Sequence, residues 1–316
     1  MFSLAEPPLF TRLKSASNVL IAGAGGGFDV YAGLPLAVAL RALGKRVHLA
    51  NLSFGELDCL ELEDWVAPGV AAIGPDSRGP EEYFPERTLA RWLARRDWPA
   101  TVYAFPCGGV RPLRDAYREL VRRLGIDAIV LVDGGTDVLL RGDEAGLGTP
   151  EEDMTSLAAV AGIEGVRRVV VCLGFGIDAY HGVCHAHVLE NLAALDRAGG
   201  YLGALSIPSN SIEARTYLDA VAHARAATPG RASIVNGQIA AALRGEFGNV
   251  AVGAEVSELF VNPLMGVYFG VDLPVLAAGV GYLDRLESTE SGFEVHAVIE
   301  RYREGLARRP RRAFPH

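Results

Sequence analysis

The sequence is short of several things at once. Only four cysteines occur in 316 residues, at Cys59, Cys107, Cys172 and Cys184. None forms a Cys-x-x-Cys pair, which excludes a zinc ribbon and a disulfide framework and fits a reducing, cytoplasmic setting. No run approaches the roughly 18 apolar residues needed to cross a bilayer, and the first twenty residues lack a charged segment followed by an apolar one. A soluble, unexported protein with no membrane partner is expected. Positive charge is also in deficit: 30 Lys and Arg against 38 Asp and Glu leave a net charge of -8. That is the wrong sign for a protein whose main partner is nucleic acid. The one basic cluster, six arginines between Arg301 and Arg312, reads as an exposed helix end running into a tail.

Several catalytic signatures are missing as well. There is no Gly-Lys-Ser/Thr for a P-loop, no Gly-x-Ser-x-Gly for a hydrolase serine, no EF-hand spacing and no internal repeat. A dinucleotide fingerprint starting at Gly23 fails at Phe28, and the strand ending at Asn51 supplies no acid for a ribose, so a nicotinamide-dependent oxidoreductase is a disfavoured alternative.

What is present is half hydrophobic and 22% charged, the balance of a globular protein. Short β-branched runs end in glycine or a polar residue and pass into helical patterns. Val19–Ala22 precedes a helix over Val30–Leu43, which Pro35 either starts or kinks. RVHLANL is a further strand; TVYAFP precedes a helix over Leu113–Leu124; DAIVLVD and RRVVVCL follow, the last before a helix over Ala186–Ala198, and YLGALSI continues the sheet. Strands apolar on both faces between amphipathic helices predict a Rossmann-like α/β fold, a mostly parallel sheet with helices on both faces. The expected organisation is an N-terminal extension (1–17), an α/β core (18–207) and a more helical C-terminal part (208–316). That last part, with helices over Ile212–Ala227, Ile234–Leu243 and near Val295–Leu306, is either a helical cap or the far side of the same sheet.

Chemistry in such a sheet gathers where strands end and helices begin. Three loops follow strands. In GAGGGFD, the backbone of Gly25, Gly26 and Gly27 could cradle an anion ahead of Asp29. In VDGGTDVLLRGDEAGLGTPEEDM, Asp133 and Asp137 are candidate metal ligands or bases, with Gly134 and Gly135 beside them. Hard oxygen donors favour magnesium or manganese. Asp143 and Glu144 extend the cluster. Thr149 and Glu152 read as a capping box, and Glu151, Glu152 and Asp153 are assigned to the helix start. In LGFGIDAYHGVCHAHVLENL, Asp178 and His181 are candidate proton carriers and Tyr180 a binding residue. His185, His187 and Cys184 make a zinc set without a fourth ligand. Cys107, ahead of two glycines, is a candidate thiol nucleophile, with an inert cysteine as the plainer reading.

GAGGGFDV together with VDGGTDVLLRGDEAGLGTPEEDM resembles the recurrent glycine-rich loops of the bacterial and archaeal family known as domain of unknown function 1152, and the likeness runs over most of the chain. The resemblance implies a Rossmann-like fold and carries no activity. GGTD and GDEAGLG are also similar to a glycine-and-acid loop of the D-glutamate cyclase-like domain, which implies a lyase-type or dehydrating, metal-associated site. Here Thr136-Asp137 stands in place of that loop's Asn-acid pair, and Leu147 interrupts its glycine pattern. The expectation is a biosynthetic or metabolic enzyme, a hydrolase, lyase or transferase, that binds an anionic, phosphorylated or nucleoside-like small molecule. A non-catalytic nucleotide- or metabolite-sensing module is the rival. A homo-oligomer is compatible with either.

Overall fold

The computed structural model describes residues 5–251 and 259–313. The first four residues of the expected extension, and 252–258 and 314–316 of the expected C-terminal part, lie outside the described residues. Along the chain run α1 (Pro8–Leu13), β1 (Asn18–Gly23), α2 (Asp29–Ala32), α3 (Leu34–Ala42), β2 (Arg46–Ser53), β3 (Trp65–Ala67), β4 (Val70–Ile73), α4 (Pro85–Ala94), β5 (Val102–Pro106) and α5 (Val110–Leu124). Then follow β6 (Ala128–Asp133), α6 (Pro150–Ala161), β7 (Arg167–Leu173), α7 (His185–Arg197), β8 (Tyr201–Ser206), α8 (Ile212–Ala227) and α9 (Ile234–Leu243). The chain ends with β9 (Gly248–Val250), β10 (Leu259–Val261), β11 (Val267–Asp272), α10 (Leu273–Gly279) and α11 (Gly292–Glu304).

Nine strands form one sheet in the order β3-β4-β5-β2-β1-β6-β7-β11-β8, and β9 and β10 form a separate pair. The five central strands, β5 to β7, are parallel. Both flanks are antiparallel: β3 and β4 on one side, and β11 between β7 and β8 on the other. The expected Rossmann-like sheet is therefore mixed at its edges, and β11 carries the C-terminal part into it.

Every residue of β1 and β6 is buried. Alternation divides β1: Leu20 and Ala22 face a core with α5, α6, α7, α10 and α11, while Val19 and Ile21 face one with α1, α2, α3, α4, α8 and α9. The helix expected over Val30–Leu43 is two helices. Gly33 separates them, lying so close to the sheet that a Cβ there would be 2.5 Å from Ile21 Cγ2, and Pro35 starts α3 rather than kinking it.

Because β1 continues to β2 on one side while β6 lies on the other, the chain reverses direction across the sheet between β1 and β6. The crevice beyond the carboxyl ends of these two strands is where such sheets bind ligands. Arg301, Arg308, Arg311 and Arg312 of the basic C-terminus are exposed as expected, but the other two arginines are not. Arg303 is buried and donates to the carbonyls of Gly142 and Glu144, and Arg309 bridges Asp143, Glu144 and Glu190. Among the described residues no helix is long and apolar enough to cross a membrane.

Candidate functional site

Past Gly23 the chain turns through the glycine loop and starts α2 on Asp29. β6 ends on Asp133, whose neighbour in β7 is Cys172. The first turn of α6 supplies Asp153, and Ser156 ties that helix to the loop by donating to the Ala24 carbonyl at 2.7 Å. One carboxylate oxygen from each of Asp29, Asp133 and Asp153 lies within 4.8 Å of the other two. Asp137 and Asp178 flank them, each in a short 3-10 turn after a strand.

Each flanking acid is held by a loop on the same rim. Asp137 Oδ2 accepts from the Thr149 N–H at 2.9 Å and from its hydroxyl. Asp178 Oδ2 accepts from the Thr136 N–H at 2.7 Å and its hydroxyl, and Asp29 Oδ2 accepts from the Gly25 N–H at 2.7 Å. Asp133 has only a long contact from the Val138 N–H, 3.4 Å. Oδ1 of Asp153, a residue 2% exposed, has no hydrogen-bond partner.

The glycines of these loops make room for the acids. A Cβ on Gly25 would stand 2.8 Å from Asp29 Oδ2 and 2.9 Å from Asp153 Oδ1. On Gly134 it would meet Asp29 Oδ1 at 2.8 Å, on Gly135 Asp178 Oδ1 at 2.6 Å, and on Gly148 Asp137 Oδ2 at 2.2 Å. The anion at the Gly25 N–H is thus the protein's own Asp29. Gly26 and Gly27 adopt φ of +86° and +58° beneath Phe54 and Tyr83, and a Cβ on Gly26 would lie 2.6 Å from the Phe54 ring.

Five acids so placed cannot all be charged at ordinary cost. Burial, then mutual repulsion, pushes Asp133 and Asp153 well above the usual carboxylate range; burial does the same to Asp178. Asp137 is also raised by burial, and Asp29 is pushed up to about 7 by burial, against the opposing hydrogen bond from Gly25. Among the described residues no Lys, Arg or His pairs with any of the five; their partners are backbone N–H groups, threonine hydroxyls and, between Asp137 and Asp153, each other. A divalent cation bound by Asp29, Asp133 and Asp153 would supply the missing charge, and three oxygen donors suit magnesium, manganese or calcium.

The structure thus brings Asp29, Asp133, Asp137 and Asp178 together with Gly25, Gly134 and Gly135. Tyr180 and His181 are exposed beyond Asp178, on the rim. Asp153 was missing from the expected set, and its assignment to a mere helix start is corrected: Asp153, Leu157 and Val160 are all buried, at helical spacing. The capping box is also absent, because the Thr149 hydroxyl is committed to Asp137. The three histidine-loop zinc ligands are used otherwise. Cys184 Sγ contacts the Arg312 carbonyl, His187 Nε2 contacts that of Pro310, and the His185 ring lies against Phe175. Cys107 donates to the Ser53 carbonyl, and burial pushes its thiol up to about 11, so it is not a thiolate at neutral pH.

Fold and site together define a Rossmann-like α/β protein with a carboxylate centre at the switch point of its sheet. The chain belongs to the family described as protein of unknown function (DUF1152), whose model matches residues 20–303, from β1 into α11 and across every residue of the centre. No curated protein matches it.

Proposed function

We propose that the chain is a divalent-cation-dependent enzyme of small-molecule metabolism, acting on an anionic substrate by hydrolase, lyase or transferase chemistry. The observation that supports this reading is the buried, unpartnered Oδ1 of Asp153 beside two further carboxylates, with no basic side chain paired to them among the described residues. Asp29, Asp133 and Asp153 would hold magnesium or manganese. The bound ion would polarise a substrate oxygen or lower the pKa of a water. Asp137 and Asp178, kept in place by Thr149 and Thr136, are the candidate bases beside it, and exposed His181 is the candidate for proton exchange with solvent.

The nicotinamide alternative loses ground further. Phe54 covers Gly26 where a pyrophosphate would need to approach, and Asn51 at the end of β2 is committed to Glu86 and the Gly27 carbonyl.

Manganese binding, followed by electron paramagnetic resonance, tests the reading. The parent should bind manganese and Asp153→Asn should bind it at least about tenfold more weakly, the loss of one charged ligand. No binding of manganese, magnesium or calcium by the parent would remove the cation. Binding without turnover of any phosphorylated or nucleoside-like compound would favour the sensing module.

A further inference from the structure

Phe28, the residue before Asp29, also lines a cavity of about 370 Å3 between α8 and α9. The size suits a small molecule. Part of its lining is apolar, from Phe28, Val221 and Ala240, and its charged residues are all cationic: Arg225, Arg231 and Arg244, with no acid among them. That is unusual placement in a chain of net charge -8. Arg244 is neutralised by Glu246 at 2.7 Å. Arg225 and Arg231 have no carboxylate partner among the described residues. The Arg231 guanidinium instead lies 5.8 Å from the centre of the Tyr83 ring, whose hydroxyl sits over Gly27.

The wall of this cleft is fixed in advance. Asn236 donates to the Phe28 carbonyl at 3.2 Å and to Ser233 Oγ at 3.0 Å, and accepts from the buried Tyr217 hydroxyl at 2.7 Å. A ligand therefore meets a built surface and does not have to order one.

We propose that the cleft binds a phosphomonoester with an apolar body. Arg225 and Arg231 take the phosphate oxygens, and the apolar lining takes the rest. Two unmatched guanidinium groups balance the roughly -1.5 to -2 charge of a phosphate monoester, whereas a single carboxylate would leave one of them uncompensated. The proposal is independent of the cation, because none of the three clustered carboxylates lines the cleft, Phe28 being only the chain neighbour of Asp29.

Calorimetric titration with phenyl phosphate in a chelator-containing buffer tests it. The parent should bind phenyl phosphate more tightly than inorganic phosphate and about tenfold more tightly than benzoate. Arg225→Gln/Arg231→Gln should weaken phenyl phosphate at least about tenfold, while Arg231→Lys recovers part of the loss. Both arginines are exposed, so the variants keep the fold. Asp153→Asn should bind the probe as the parent does. The proposal is overturned if the parent does not bind phenyl phosphate at millimolar concentration, if phosphate and phenyl phosphate bind equally, or if the double variant matches the parent. A change in affinity confined to Asp153→Asn, which in chelator would be a gain from relieved repulsion, would place the phosphate at the carboxylates and overturn it too.

Discussion

Asp153 is one atom short of being explained by the protein alone: it is buried, ionisable, and its Oδ1 accepts nothing. Replacing it with asparagine removes a charge and keeps the shape. In metal-free buffer at neutral pH, Asp153→Asn should therefore be more stable than the parent, because burial and the neighbouring carboxylates disfavour the charged form of Asp153. Urea midpoints with and without chelator check this, and a variant less stable than the parent in chelator would show that repulsion is not the governing force. Gly25 makes the complementary case. Its missing Cβ is the space taken by Asp29 and Asp153, so Gly25→Ala must push carboxylates apart without entering the core. Manganese affinity should fall at least about tenfold, while the fold persists. Gly279→Ala, where a Cβ meets nothing within 4 Å, should leave both affinity and stability unchanged.

At the scale of elements, the C-terminal segment after α11 acts as a strap on the loop that carries Gly148 and Thr149. Arg309 gives hydrogen bonds of 2.7 Å to both Asp143 and Glu144, and Glu144, fully buried, also takes the N–H groups of Arg141 and Gly142. Arg309→Ala removes the only cation on that carboxylate among the described residues, leaving it the N–H groups of Arg141 and Gly142 and the Asn191 amide, and should cost about 2 kcal/mol, with Arg309→Lys recovering only part because an ammonium lacks the guanidinium fork. Thermal melts of the two variants check the order; equal stability of all three proteins would mean the strap is ornamental. Elements whose identity rests on local pattern were legible from sequence. The strands β1, β6 and β7 announce themselves by β-branched runs buried on both faces, and α8 and α9 fall on the expected residues because Ser211 and Ser233 cap them. What escaped was set by distant contacts. The strands β3 and β4 are three and four residues long at the sheet edge. The antiparallel insertion of β11 depends on pairing with β7 and β8 far away in sequence, and the break at Gly33 exists because of Ile21 and Val132. The centre was half legible on the same grounds. Asp29, Asp133 and Asp178 stand where strands end, but Asp153 comes from a helix start and only the fold aims it inward.

For the whole molecule, the centre makes stability depend on pH in an uncommon direction. Some acids that ion-pair, such as Glu190 beside Arg312 and Arg309 or Asp219 beside Arg96 and Trp92, are held below the usual range, and their stabilisation disappears only as the solution becomes strongly acidic. The central carboxyls have the opposite sign. Asp29 titrates at about 7 in the folded chain against an ordinary value of 3.8, so below the ordinary value it is protonated in both states and costs nothing. Between roughly pH 4 and 7 the unfolded chain releases this proton while the folded chain keeps it, and the folded state loses ground throughout that interval. Asp133, Asp153 and Asp178, raised well above the usual range, carry the loss to higher pH. The chelated protein should accordingly be most stable near pH 4–5, where the ordinary ion pairs survive and the centre is still protonated. A divalent cation needs the deprotonated carboxylates, so its effect should grow with pH. At a hundredfold excess over the dissociation constant it adds roughly 2.7 kcal/mol. Urea midpoints at pH 5 and pH 8, in chelator and in manganese, separate these terms. Chelated protein should be weaker at pH 8 than at pH 5, manganese should close most of that gap, and Asp153→Asn should show a shallower fall in chelator and little response to manganese. A chelated parent that is more stable at pH 8 than at pH 5, and unmoved by manganese at either, would mean that the five acids are reconciled by some means other than protons or a cation.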